Sequence, residues 1–197
     1  MDLEFESRIS RFRDAENGMP SEWHEMVKTQ YIANRIFKQD GLIHKYLNHA
    51  AIKDINAEQR NYLELMAANP WKFSFSEITA NPADDFYDMG DIFTEETYLL
   101  FSPYVDQVLS ERSVLTWFNL IGFNGSCWQT FGPLTGFQSF CADDIFFYAT
   151  ELNRSIESED DLIEDVESIP IPYMMLMTGS TFPLVRHEEH EVVQVIG

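Results

Sequence analysis

The chain reads as an α+β protein: N-terminal helices packed on a mainly antiparallel, strongly twisted or barrel-like sheet, with one or two further helices near residues 143–168. Three observations lead there. Up to Pro70, apolar residues recur every three to four positions, the period of a helix with one buried face. From Trp71 the period shortens to two and turn residues arrive at short intervals, as in a series of strands. With 197 residues, 45% hydrophobic and 14% aromatic, the chain has enough apolar mass for a core and lies outside the disordered class. This divides it into a helical region, 1–70, and an acidic, mainly β region with inserted helices, 71–197, expected to form one compact unit.

Residues 3–13 suggest a short helix. Ser21 is placed to cap a second, whose stripe is Trp23, Met26, Val27, Tyr31, Ile32, Ile36 and Phe37. Gly41 interrupts it, and a shorter helix is expected from Leu42 to Ala51. Asn56 with Gln59 forms a capping signature for another, ending at Asn69-Pro70.

In WKFSFSEI, Trp71, Phe73 and Phe75 alternate with Lys72, Ser74 and Ser76, which predicts a half-buried strand with antiparallel neighbours. Further strands are expected at Phe86–Phe93, Thr97–Ser102, Val114–Phe123 and Cys127–Phe131. Thr94-Glu95-Glu96 should form a tight turn and Val105–Ser110 a short helix. VLTWFNLIGF is apolar on both alternating faces, so its strand should be central and covered by helices on one side. Asn124-Gly125 between LIGF and SCWQTF predicts a two-residue hairpin turn with positive φ at both positions. Gly132-Pro133 and Thr135-Gly136 also read as turns.

Asp143-Asp144 should start a helix through IFFYATELNRSI, since carboxylates satisfy the free amides at a helix start. In IESEDDLIEDVESIP, Leu162, Ile163 and Val166 make a narrow apolar stripe on an otherwise anionic helix. Pro170 and Pro172 should end it, leaving YMMLMTGS and HEVVQVI as late strands.

Charge divides at the same boundary. Residues 1–70 hold 11 acids and 9 bases, and residues 71–197 hold 22 acids and 4 bases. The resulting field should repel nucleic acids and anionic membranes and steer a basic partner. An acidic N-terminus, no apolar run long enough to span a bilayer, and only two cysteines point to a soluble cytoplasmic protein.

No motif dictates a chemistry. The glycines of residues 119–148 fit neither the dinucleotide fingerprint nor the P-loop. In RHEEHE, His187 and His190 are three apart rather than the four of a zinc helix. No serine lies in a nucleophile elbow, and Cys127 and Cys141 read as buried hydrophobes without a metal-binding spacing. Asp84, Asp85, Asp88 and Asp91 lack the glycine and glutamate of a calcium loop. No catalytic residue, metal ligand or cofactor is assigned.

Two readings remain. In the first, the protein binds a basic protein surface through Glu157, Glu159, Asp160, Asp161, Glu164, Asp165 and Glu167, as an inhibitor, an immunity protein or a mimic of nucleic-acid charge. In the second it is a small enzyme or ligand-binding protein. Its pocket would then lie among the aromatic residues of 117–148, with Asn119, Gln129 and Gln138 orienting the ligand. A cleft reaching Cys127 or Trp128 would distinguish the second from the first.

Overall fold

The computed structural model describes residues 2–9, 21–111, 113–138, 140–176, 185–186 and 192–193. Helix α1 (Asp2–Ile9) packs on α2 (Ser21–Phe37), burying Phe5 and Ile9. The buried face of α2 is Val27, Gln30, Tyr31 and Asn34, an i, i+3, i+4, i+7 series. Of the expected stripe, Met26 is exposed, and Ile32, Ile36 and Phe37 are half-buried. Apolar spacing passed over the two amides because their burial depends on the sheet: Gln30 Nε2 donates to the Phe131 carbonyl at 2.8 Å.

The helix expected from Leu42 is cut short. Helix α3 covers Leu42–Tyr46, and a 3₁₀ turn follows at Ala50–Ile52, held by i+3 bonds from His49 N to Tyr46 O and from Ile52 N to His49 O. Gly41 is required by close approach, since a Cβ there would stand 2.5 Å from the Ile36 carbonyl oxygen. Helix α4 (Ala57–Ala68) begins with the expected reciprocal cap: Asn56 Oδ1 accepts from Gln59 N at 2.8 Å, and Gln59 Oε1 accepts from Asn56 N at 3.1 Å.

Strands β1 (Lys72–Ala83), β2 (Phe86–Asp91), β3 (Thr97–Phe101), β4 (Thr116–Phe123) and β5 (Trp128–Phe137) close into a ring in the order β1-β2-β3-β5-β4. Helix α5 (Val105–Glu111) joins β3 to β4. All pairs are antiparallel except β3 with β5, a parallel seam of two register pairs, Leu100 with Trp128 and Phe101 with Gln129. The ring is therefore uneven, with four strand neighbours paired antiparallel and one short parallel seam.

Closure corrects the half-buried reading of β1. Ser74 and Ser76 are buried as fully as Phe73 and Phe75, because one face of a closed ring points to its interior. Ser74 Oγ donates to Asp91 Oδ2 at 2.7 Å, and the Tyr98 hydroxyl lies 3.0 Å from both Ser74 Oγ and Ser76 Oγ. The other Asp91 oxygen accepts from the amides of Phe93 and Thr94, which fixes the turn from β2 to β3. Around this polar chain Tyr87, Met89, Leu100, Val105, Trp117 and Ile121 form one apolar cluster. Outer-face residues Phe73, Phe75, Phe118 and Leu120 join the helices in a second, larger one.

Residue 132 is not a chain reversal. Strand β5 continues through it, with Gly132 at φ +84. The register steps from Leu120–Phe131 to Phe118–Thr135, so the extra residues bulge opposite Asn119, whose Oδ1 accepts from Thr135 N at 3.3 Å.

Helices α6 (Ala142–Leu152), α7 (Glu159–Ser168) and α8 (Ile171–Leu176) follow. The cap of α6 is Cys141 rather than Asp143-Asp144, and Asp144 reaches back to accept from the Cys141 amide at 3.0 Å. The segment expected as a strand at Tyr173 is helical instead. Pro172 lies in the first turn of α8, where a missing N–H costs nothing, and Met174 N bonds the Pro170 carbonyl at 2.9 Å. Short strands β6 (Val185–Arg186) and β7 (Val192–Val193) pair antiparallel; the rest of the expected last strand lies outside the described residues. No described helix is long and apolar enough to cross a membrane.

Candidate functional site

Helix α7 forms because its sequence supplies both a start and a buried face. Ser158 caps it: Asp161 N donates to Ser158 Oγ at 3.2 Å, and Asp161 Oδ2 accepts from Ser158 N and Ser158 Oγ at 2.9 and 2.8 Å. Leu162 and Val166 are buried in the larger core and Ile163 packs against it, which seats the helix on β1. Its last turn holds no basic residue. Lys38, just past α2, supplies the missing cation by donating from Nζ to the Glu167 carbonyl at 2.8 Å.

The seven carboxylates of 157–167 separate into two groups. Glu157, Glu159, Asp160, Glu164 and Glu167 are exposed, and none forms a salt bridge among the described residues, although Lys38 lies close enough to Glu167 to feel its charge. Asp160, Glu164 and Glu167 share one side of the helix by their i, i+4, i+7 spacing. Asp161 and Asp165 are turned to internal work. The Ser158 hydroxyl, with the Glu157 and Ser158 amides, holds the Asp161 carboxyl below its ordinary range. Asp165 accepts from Asn153 Nδ2 at 2.8 Å and from the Tyr173 hydroxyl at 2.7 Å, tying α7 to the end of α6 and to α8. Composition treats the seven acids as equivalent, and only the fold distinguishes them.

Beside Asp165 the helices leave a polar notch of about 220 Å³ lined by Asn153, Ser155, Asp161, Glu164 and Ser168. Glu164 is shared between this notch and the anionic stripe. A cationic side chain would meet carboxylate and hydroxyl oxygens there.

The aromatic stretch is mostly core and hairpin. The turn spans four residues, Asn124–Cys127, because Phe123 pairs with Trp128. Gly125 alone has positive φ, +102, and Asn124 Oδ1 accepts from Ser126 N and Cys127 N at 2.9 and 3.0 Å. Cys127 is buried and Cys141 half-buried. The three polar residues expected to orient a ligand do not converge: Asn119 is buried in the strand ladder, while Gln129 and Gln138 are exposed. A cleft of about 130 Å³ does lie over the hairpin, between Tyr62, Trp71, Gly122, Asn124, Gln129 and Phe131. It is smaller than the roughly 300–1,000 Å³ of small-molecule sites, and its lining includes neither Cys127 nor Trp128. Trp71 forms one wall of it, its indole packed so closely on Gly122 that a Cβ there would stand 2.5 Å from the ring.

His187 and His190 lie outside the described residues. Among the described residues no three His, Cys, Asp or Glu side chains gather as a metal site. Of the four aspartates near the β1–β2 and β2–β3 turns, Asp84 is exposed, Asp85 turns at φ +63 and Asp91 faces the barrel interior. Sequence reasoning gave no sign of the Ser74–Asp91–Tyr98 chain, since inward serines look like solvent-facing ones until the ring is closed. No protein-family model, curated protein or solved structure matches the chain.

Proposed function

We propose that the protein is a binding module whose α7 face docks a basic surface of another protein. The observation that carries this reading is the separation within α7. Four carboxylates that form no salt bridge among the described residues, Glu159, Asp160, Glu164 and Glu167, project from a helix that Asp161, Asp165, Leu162 and Val166 hold in place, with exposed Glu157 just before its cap. Fixed like charges raise the local potential, speed encounter with a cationic partner and repel phosphate backbones. Direct nucleic-acid binding and anionic membranes are therefore disfavoured partners, whatever the barrel's connectivity, because function resides in the site and not in the fold.

A pull-down from the native cell at low and raised salt tests the reading. The wild type is compared with Asp160→Lys/Glu164→Lys/Glu167→Lys, which spares Asp161 and Asp165. A basic protein retained by wild type at low salt and lost both at raised salt and with the reversed helix is the expected result. Retention of the same proteins by both forms at every salt concentration would reduce α7 to a solubility feature.

A further inference from the structure

Asn124-Gly125 is a reactive pair as well as a turn. A glycine that follows asparagine has no Cβ to shield its own nitrogen, so that nitrogen is open to ring closure on the asparagine side chain. The hairpin restrains this reaction. Asn124 Oδ1 accepts from Ser126 N at 2.9 Å and from Cys127 N at 3.0 Å, and Asn124 Nδ2 donates to Cys127 Sγ at 3.4 Å. Held at both ends, the carboxamide is not free to turn the face of its Cγ to the Gly125 nitrogen, as attack requires. The clamp is anchored on the inner side of the turn: Cys127 is buried, its carbonyl accepts from Asn124 N at 3.0 Å, and Phe123 pairs with Trp128 just beyond.

We propose that Asn124 is a site of spontaneous deamidation gated by the fold: the closed turn holds the reaction back, and opening of the hairpin releases it. In the open turn the Gly125 nitrogen bonds to Asn124 Cγ and gives up its proton. The Cγ–Nδ2 bond breaks, and Nδ2 leaves with that proton as ammonia. Water then opens the succinimide at one carbonyl or the other, giving aspartate or isoaspartate, with no change of oxidation state. Both products lose the Nδ2 donor to Cys127 and gain a carboxylate. Isoaspartate also lengthens the main chain by one carbon, inside a turn whose length is set by the Phe123–Trp128 pair. The two seam pairs that close the ring, Leu100 with Trp128 and Phe101 with Gln129, begin at the first residue after this turn, so a lengthened turn shifts the strand start on which closure rests. A chain that has opened here is marked by the loss of ammonia and hindered from closing again.

The chain carries its own reference in a second such pair, Asn17-Gly18, which lies outside the described residues. The full chain is incubated in mildly alkaline buffer, with and without unfolding urea, and both sites are followed by peptide mass spectrometry and by enzymatic methylation of isoaspartate. In urea Asn17 and Asn124 should convert at the same rate. In native protein Asn124 should convert at least about tenfold more slowly than in urea, because two or three hydrogen bonds must be given up first. Phe123→Ala and Cys127→Ala loosen the turn from its two ends, so either serves if the other does not fold. Each should raise the native rate at Asn124 several-fold and leave the rate in urea unchanged. Isolated isoaspartate-bearing chains should unfold at lower urea than unmodified ones. The proposal is overturned by equal rates at Asn124 in native and unfolded protein, or by no conversion there in urea while Asn17 converts. It is equally overturned by an unchanged native rate in a folded loosened variant, or by an unchanged urea midpoint in isoaspartate-bearing protein.

Discussion

Gly125 sits at φ +102 beside an Asn124 side chain that organises the hairpin by accepting two amides. A β-branched residue is forced into a conformation it scarcely populates there, so Gly125→Val should destabilise the protein by about 1–3 kcal/mol. Denaturant midpoints of the two proteins decide this, and an unchanged midpoint would refute it. Thiol reactivity should also differ between the two cysteines. Cys127 is buried in the loop, whereas half-buried Cys141 donates its thiol to Asp144 at 3.2 Å. Cys141 should therefore label faster in native protein, with Cys127 following only as denaturant opens the fold. Equal rates would contradict the burial difference. Asn-Gly made the reversal legible, because few residues accept positive φ. Loop length was not legible, since the Phe123–Trp128 pairing that sets it is a tertiary choice of register.

Helix α7 shows how one element carries separable charges. Asp165 receives both the Tyr173 hydroxyl and the Asn153 amide, and truncating it would leave a buried phenol without its acceptor. Asp165→Ala should cost about 1.5–3 kcal/mol, the range for hydrogen bonds to a charged group. Glu164→Lys, one residue earlier on the exposed side, should stay within about 0.5 kcal/mol. Paired thermal melts compare the two, and equal losses would mean that the acids are interchangeable after all. The α7 stripe of Leu162, Ile163 and Val166 was readable because helical period and cap signal agree in one short segment. Helix α8 was misread for the opposite reason. Six residues hold too little periodicity to separate helix from strand, and Pro172, taken as a terminator, falls in the first turn, where proline is tolerated. The buried amides of α2 were invisible to apolar counting because the Gln30 bond to Phe131 spans 101 positions.

At the scale of the whole molecule, the α+β class and most strands could be read from a change of period at Trp71. A barrel-like sheet was one of two forms the pattern allowed, and the choice between an open twisted sheet and a closed ring could not be read, because the residues that reveal it, Ser74 and Ser76, have no apolar signature. The outer core has a consequence of its own. Tyr148 of α6 donates to the Pro172 carbonyl of α8 at 3.1 Å, and Tyr173 of α8 donates to Asp165 of α7. Burial pushes the hydroxyls of both above the ordinary phenol range, and for Tyr173 the neighbouring Asp165 carboxylate adds to the effect. A group whose pKa is raised on folding contributes stability that is complete below its unfolded pKa and is lost as pH rises toward the folded value. For tyrosine that loss begins at about pH 10. From there each of the two should reduce stability by up to about 1.4 kcal/mol per pH unit, because its proton is released only on unfolding. Two measurements bear on this. Phenolate absorbance of native protein should account for fewer than all eight tyrosines until the chain unfolds, and urea midpoints should be level between pH 8 and 9.5 and then fall steeply. In Tyr148→Phe/Tyr173→Phe the fall above pH 10 should be shallower. Complete titration of every phenol near pH 10 in folded protein, with a flat midpoint, would show that these helices do not seal the outer core.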